Sequence, residues 1–170
     1  MDVRERILDS MQELALTHGV LPSLDAIAKD VGLSKGGLIH HFPNRIALVD
    51  GLIVRAVRAV DQEMRQAAEQ GRAAETWLQL SLPDPGELDL FRAMLVALKA
   101  LGSGENQLCT VLAEATQRWD DLLRKELGDQ ARARIVRLVG DGLFMNALAG
   151  TPVERADVET IVQTLTGPPA

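Results

Sequence analysis

The sequence predicts an all-α fold, and three observations carry this prediction. Apolar residues recur at helical spacing in every segment between the glycine- and proline-containing breaks. No segment shows the alternation of apolar and polar residues that is typical of a strand. The 170-residue chain, with 46% hydrophobic and 25% charged residues, has a globular composition and can bury a core. We expect a small N-terminal headpiece, residues 1–45, and a larger helical domain, residues 46–170.

The first three helices are expected to be short. Apolar periodicity predicts the first helix over residues 3–18, followed by a glycine that stops it. Ser23 is placed to cap a second helix over residues 24–31, because a serine oxygen can accept a free backbone N–H of the first turn. Ser34 is placed in the same way before a third helix over residues 35–41.

The rest of the chain predicts six longer or medium helices. Asn44 can cap a fourth helix that runs to about residue 70. Breaks rich in glycine and proline separate the five helical patterns that follow. These patterns cover residues 72–82, 87–101, 105–127, 130–149 and 154–166.

The distribution of charge is more informative than its sum. The formal net charge of -6 argues against a protein that coats nucleic acid, since such proteins neutralise phosphates with many lysines and arginines. Residues 31–49, however, contain no Asp or Glu, and they do contain Lys35, His40, His41 and Arg45. This cationic window is the part of the chain that could meet a phosphate backbone.

Other features of the sequence limit its location and its redox chemistry. No apolar run approaches the roughly 18 residues that span a bilayer, and the N-terminus lacks the apolar stretch of a signal peptide. We therefore expect a cytoplasmic protein with no membrane partner. The single cysteine, Cys109, cannot form an internal disulfide, and we interpret it as a core residue rather than a redox sensor.

The second and third helices form a candidate helix-turn-helix. Two short helices joined by a tight turn at Gly32, the second with an acid-free surface, are typical of the unit that reads the DNA major groove. A structural αα-hairpin is the alternative on spacing alone. Residues 27–45, IAKDVGLSKGGLIHHFPNR, resemble the signature of the tetracycline-repressor (TetR) family of bacterial transcriptional regulators.

The resemblance covers about residues 4–52 and implies a fold and a mode of action. It implies a three-helix helix-turn-helix headpiece joined to a helical-bundle domain that binds a ligand and dimerises. It also implies a DNA-binding regulator, usually a repressor that its ligand releases from double-stranded operator DNA. The predicted DNA-contacting residues are Ser23, Ser34, Lys35, Gly36, Gly37, Ile39, His40, His41 and Arg45.

The start of the third helix carries the leading contacts. Lys35 can donate to a guanine edge or to a phosphate, although a solvated lysine is the alternative. Gly36 and Gly37 lack side chains, so the helix can approach DNA closely and direct backbone N–H groups at phosphate. Ser23, at the start of the second helix, and Ser34 are expected to contribute at the same surface.

The end of the motif predicts further contacts with the DNA backbone. His40 and His41 match positions where the family has aromatic or histidine residues against phosphate, and one of them can pack internally instead. Arg45 matches the family's basic residue, whose exposed guanidinium can clamp a phosphate with two bonds. Ile39 stands where many relatives carry tyrosine, which predicts an apolar contact with a thymine methyl.

The eighth predicted helix points to a dimer. Gly140 and Gly142 each cost about 1 kcal/mol relative to alanine in a helix interior, and close helix packing would offset this cost. The family resemblance implies that the last two helices pair with those of a second copy in a four-helix bundle. We therefore expect a homodimer.

The family resemblance implies that the helical domain binds a small-molecule effector of apolar or aromatic character, including one with a positive charge. Asp141 lies in an apolar helix and needs a partner, which could be a cationic ligand or an arginine such as Arg118 or Arg137. Most of the other candidates fit a plain core equally well. The predicted ligand-lining residues are Trp77, Phe91, Met94, Glu114, Trp119, Asp141, Phe144 and Met145.

Two other classes of protein receive no support. The sequence offers no paired catalytic carboxylates, no Ser/His/Asp order and no phosphate-binding glycine loop, so we expect no enzyme and no cofactor. Cys109 is far in sequence from the three histidines, so we expect no metal site. A helical dimeric protein-interaction module without sequence-specific DNA binding is the alternative that stays open.

Overall fold

The computed structural model describes residues 2–101 and 107–167. Within these residues the chain forms nine α-helices and no strand, which confirms the all-α prediction. In chain order they are α1 Val3–His18, α2 Leu24–Asp30, α3 Lys35–His41, α4 Arg45–Glu69, α5 Ala73–Leu80, α6 Pro85–Leu101, α7 Gln107–Leu127, α8 Gln130–Leu148 and α9 Arg155–Thr166.

Side-chain caps explain where α2, α3 and α4 begin. Ser23, Ser34 and Asn44 each accept the backbone N–H three residues further on, at 3.1, 3.0 and 2.9 Å. The three predicted caps are thus confirmed. Helix α6 begins two residues earlier than expected, because Pro85 suits the first helical position, where its missing N–H is not needed. The predicted start of α7 at residue 105 and the Cys109 side chain lie outside what the structure describes.

The chain divides into two compact units. The first contains α1, α2, α3, α6 and the part of α4 up to Ala56. In it α1 packs on α2 and on α6, and α2 packs on α3. Leu38 of α3 and Phe42, the residue that ends this helix, are fully buried in its core. Because these two residues lie four apart, they fix one face of α3 and leave the other face outward.

The second unit contains α5, α8, α9, the part of α4 from Val57 and α7 from Cys109. In it α5 packs on both α8 and α9. A Cβ atom on Gly140 would lie 2.1 Å from Trp77 Nε1 and 2.6 Å from Ser81 Oγ. At Gly140 the close approach expected from the α8 glycines therefore occurs with Trp77 of α5 and with Ser81 of the same chain. The pairing of α8 with a second copy stays a prediction.

The functional division at residue 45 is not decided by this packing and stays a prediction. Both units draw on α4, since the helix is continuous from Arg45 to Glu69. None of the described helices combines the length and apolar character needed to cross a bilayer.

Candidate functional site

The outward face of α3 is the first candidate surface. Lys35 and Ile39 lie four residues apart, as do Gly36 and His40, so the four residues form one exposed face. Ile39 is 38% exposed although it is apolar. No acidic residue stands in the first turn of α3. This face therefore offers a cation, an apolar side chain and an imidazole.

The ammonium group of Lys35 is held by a residue that the sequence analysis missed. Lys35 Nζ lies 2.9 Å from Asp25 Oδ2, and both side chains are more than half exposed. Asp25 stands in the first turn of α2, ten residues earlier. Neither helical periodicity nor the acid-free window indicates this pair, because only the angle between α2 and α3 brings the two charges together.

The first turn of α3 is arranged around the Ser34 cap. The N–H of Gly37 donates to Ser34 Oγ at 3.0 Å, and a Cβ on Gly37 would lie 3.3 Å from that oxygen. Of the two glycine N–H groups expected to face phosphate, that of Gly37 is thus used by the cap. Gly36 is more open, with the nearest atom 3.9 Å from its Cβ position. The Ser34 hydroxyl accepts this bond and keeps its own proton for donation.

The two histidines at the end of α3 differ in exposure. His40 is exposed and His41 is half-buried, and their rings meet edge to face with centroids 5.4 Å apart. An imidazole N–H on the exposed ring can donate to a phosphate oxygen without needing the charged form. His40 is therefore the better placed of the two for a contact with DNA.

Two arginines of α1 donate hydrogen bonds to backbone carbonyls at the ends of α2 and α3. Arg4 Nη1 donates to the carbonyl of His41 at 2.5 Å, and the Arg4 guanidinium lies 4.2 Å from the centroid of the Phe42 ring. Arg6 Nη2 donates to the carbonyl of Val31 at 2.8 Å. These carbonyls lie at the C-terminal ends of α3 and α2, where backbone oxygens lack partners within their own helix. Helix α1 thereby fixes the angle between α2 and α3.

Arg45 does not have the exposed guanidinium expected from the sequence. Its side chain is partly buried, and Nη2 donates to the carbonyl of Leu21. Its Nε is buried without a hydrogen-bond partner. One edge of the guanidinium therefore holds the loop before α2, and a two-bonded phosphate clamp would need this contact to be released.

A cluster in the second unit joins two of the predicted ligand residues. The rings of Trp77 and Trp119 lie 5.4 Å apart between centroids. The Arg137 guanidinium lies 4.4 Å from the Trp77 ring centroid and 5.7 Å from that of Trp119. Because the side chain of Arg137 is only 13% exposed, its cation is stabilised mainly by these rings and by nearby acids.

Arg137 is also the partner that Asp141 requires. Arg137 Nη1 lies 3.0 and 3.1 Å from the two carboxylate oxygens of Asp141. Arg118, the other arginine considered, pairs instead with Asp61 at 2.6 Å. Asp61 also accepts the indole N–H of Trp119 at 2.7 Å. Asp61 was missed because its position on α4 gives no sign that it faces α7.

The pKa of Asp141 is raised above its usual value. Burial is the main cause, because it removes water from the charged carboxylate. The positive charge of Arg137 lowers this pKa, whereas the neighbouring carboxylate of Asp120 raises it. The effect of desolvation on this pKa thus outweighs that of the ion pair, and the cluster disfavours the ionised form of Asp141.

The other five predicted ligand residues are divided between the two units. Met94 is buried in the core of the first unit, and Phe91 packs against the same core. Glu114 and Met145 are exposed, and Phe144 is half-buried. Trp77, Trp119 and Asp141 are brought together in the second unit through their shared neighbour Arg137.

Helix α8 exposes a second apolar face opposite the one that packs on α5. Ile135, Leu138 and Met145 are 51%, 60% and 61% exposed. Gly142 completes the series, with no atom within 4 Å of its Cβ position. The spacing of three, four and three residues places all four on one stripe, as in helices that pair with another helix.

Among the described residues, no group of three or more His, Cys, Asp or Glu side chains is placed to hold a metal ion.

A helix-turn-helix fixed on a small core, with a separate helical unit, defines the class of DNA-binding transcriptional regulators. The chain belongs to the TetR family, because the model of the tetracyclin repressor-like C-terminal domain matches residues 71–167. This protein is therefore not an enzyme. Membership also decides against the alternative of a helical interaction module that does not bind DNA. No curated protein matches the chain.

Several solved structures have a similar fold, and a member of the TetR family is among them. The multidrug-binding protein EbrR complexed with imidazole has a TM-score of 0.66 and 21% identity, covering 100% of this chain and 98% of its own. EbrR complexed with malachite green has a TM-score of 0.64 and 20% identity, covering 97% and 98%. A TetR-family member from Streptomyces coelicolor A3, SCO1917, has a TM-score of 0.63 and 18% identity, covering 96% and 98%. At these identities the likeness concerns the fold alone.

Proposed function

We propose that this protein is a homodimeric repressor that reads operator DNA with α3 and is released when a small apolar or aromatic molecule binds its second unit. The observation that carries the DNA part is the exposed, acid-free face of α3 with Lys35 and Ile39. The net charge of -6 supports a local contact rather than general affinity for nucleic acid.

Each part of this face has a role in the proposal. Lys35 donates to a guanine edge, and Ile39 contacts a thymine methyl in the major groove. His40 and the hydroxyl groups of Ser23 and Ser34 donate to phosphate oxygens, which position the headpiece without reading sequence. The backbone N–H of Gly36 adds a donor at the positive end of the α3 dipole.

The exposed stripe of α8 supports the homodimer. A single small headpiece makes too few contacts for tight specific binding, whereas a dimer reads two half-sites about 34 to 36 Å apart. Ile135, Leu138, Gly142 and Met145 form an apolar stripe on one face of a long helix. A second copy of α8 is the partner whose spacing matches this stripe, because a two-fold axis brings identical faces together.

The tryptophan cluster supports the effector part of the proposal and restricts its chemistry. The rings of Trp77 and Trp119 are neighbours tilted by 38°, and aromatic side chains in a ligand site suit an aromatic guest. The fold is shared with EbrR, whose malachite green complex is known. Arg137 already pairs with Asp141, so a cationic effector has to compete with this arginine for the carboxylate. A neutral apolar or aromatic effector does not have to do so, whereas a cationic dye such as malachite green does.

Replacing Lys35 with alanine is expected to weaken operator binding while leaving the thermal stability unchanged, since the side chain is exposed. Loss of a base contact costs about 1 to 3 kcal/mol and relaxes one operator position. Affinity is measured by fluorescence anisotropy on palindromic DNA selected from a random pool with the protein itself. Lys125→Ala on α7 removes the same charge from the second unit and should keep wild-type affinity. Equal affinity of the Lys35 variant and the wild type would remove Lys35 from the site.

Release by an effector can be tested through its reciprocity. We expect malachite green to bind the free dimer more tightly than the dimer on operator DNA, by the factor by which the dye weakens DNA binding, since linkage makes the two effects equal. Titration calorimetry with and without saturating operator DNA measures this factor. Equal dye affinity in both titrations would contradict the proposed coupling for this molecule.

A further inference from the structure

We propose that Asp25 is a positioning residue that raises the sequence specificity of the DNA-binding face. Its carboxylate holds the ammonium group of Lys35 and opposes contacts between Lys35 and phosphate. The proposal rests on the proposed function, in which Lys35 contacts DNA.

Asp25 forms an ion pair with Lys35 in the structure. Asp25 Oδ2 and Lys35 Nζ are 2.9 Å apart, and this pair joins the first turn of α2 to the first residue of α3. A lysine at a helix N-terminus meets the positive end of the helix dipole, which disfavours a cation there. Asp25 supplies the negative charge that the first turn of α3 lacks. The pair therefore defines where the Lys35 ammonium rests before DNA is bound.

The chemistry of an ammonium group makes this restraint selective. Lys35 has three N–H donors, so it can keep its bond to Asp25 while another N–H reaches an acceptor on a guanine edge. A move of the ammonium onto the phosphate backbone separates it from Asp25 and leaves the carboxylate facing phosphate with its charge uncompensated. Non-operator DNA offers mainly this second kind of contact, since its binding is electrostatic. Asp25 thus costs affinity on non-operator DNA that it does not cost on the operator.

The size of the effect follows from the exposure of the pair. An exposed ion pair contributes at most about fivefold to an equilibrium, because water and salt screen it. We therefore expect Asp25→Asn, which keeps the shape of the side chain and removes its charge, to raise affinity for non-operator DNA up to about fivefold. The slope of log affinity against log salt should steepen by about one unit on non-operator DNA, as Lys35 neutralises one more phosphate. Operator affinity should change less, so the specificity ratio falls.

The test compares four full-length proteins, with a fifth as a charge control, on operator and non-operator duplexes across a salt series. They are the wild type, Asp25→Asn, Lys35→Ala and the double variant. Asp30→Asn, an exposed acid at the other end of α2, controls for the change in net charge and should leave the specificity ratio unchanged. In the Lys35→Ala background, Asp25→Asn should no longer steepen the salt slope. A melting temperature for each variant shows that α2 is intact.

The outcomes separate the inference from the function on which it rests. An unchanged specificity ratio and salt slope in Asp25→Asn, with Lys35→Ala still weakening operator binding, would overturn the role of Asp25 alone. The same steepening with and without Lys35 would also overturn it, because Asp25 would then act by general repulsion. Wild-type affinity in Lys35→Ala on both duplexes would instead remove Lys35 from the DNA contact.

Discussion

Replacing Leu138 with glutamate is expected to convert the dimer to a monomer and to lower operator affinity by about a hundredfold or more, toward the non-specific level. Leu138 is 60% exposed at the centre of the apolar stripe of α8, so the monomer tolerates the new charge. In a two-fold dimer the substitution places two carboxylates in one apolar contact, where each loses water without gaining a partner. Sedimentation at micromolar concentration and anisotropy on the selected operator measure the two effects.

A matched substitution on α7 tests whether the loss of the dimer requires a change within the α8 stripe. Leu112 of α7 is 39% exposed, and Leu112→Glu makes the same change of side chain and charge outside the stripe. We expect this control to remain dimeric and to bind the operator normally. A dimeric Leu138→Glu protein would exclude the exposed face of α8 as the pairing surface, whatever its affinity for DNA.

Replacing Gly140 with alanine is expected to lower the free energy of unfolding by about 1 to 3 kcal/mol, the usual cost of overpacking a core. The added Cβ would meet Trp77 Nε1 at 2.1 Å, inside any normal contact distance. Trp77 cannot move away cheaply, because its N–H donates to the Arg137 carbonyl at 3.2 Å and its ring lies under the Arg137 guanidinium. Denaturant unfolding followed by circular dichroism measures the loss.

Gly142 provides the comparison, two residues further along the same helix. Its Cβ position is open, so alanine there should gain up to about 1 kcal/mol from helix propensity in the unfolding of the monomer. The opposite signs at the two sites are the expected signature of packing against α5. If both variants gained stability, the contact between α8 and α5 at Gly140 would be wrong.

The sequence predicted the features of the fold that depend on a few neighbouring residues. Ser23, Ser34 and Asn44 were identified as caps because a cap is a local hydrogen bond across three residues. The common burial of Leu38 and Phe42 follows from the same local geometry, since residues four apart share a helical face. The outward face of α3, with Lys35 and Ile39, follows from the same periodicity.

The contacts between residues of different helices could not be predicted from the sequence. Gly140 and Gly142 have similar surroundings in the sequence, yet one lies against Trp77 and the other is open, because only the position of α5 distinguishes them. The α8 pattern alone shows a helix apolar on most sides and does not separate its inner from its outer face. Asp25 was missed for the same reason, since its bond to Lys35 depends on how α2 and α3 cross.

The tryptophan cluster also determines how this protein emits light. The chain has two tryptophans and no tyrosine, and both indoles lie in the second unit with ring centroids 5.4 Å apart. The tryptophan fluorescence of the protein therefore originates from one small region, while the first unit contains no tryptophan and does not contribute to this emission. Each indole N–H has its own acceptor, the Arg137 carbonyl for Trp77 and the Asp61 carboxylate for Trp119. Any rearrangement of α4, α5, α7 or α8 around the two rings changes the emission of the unlabelled protein.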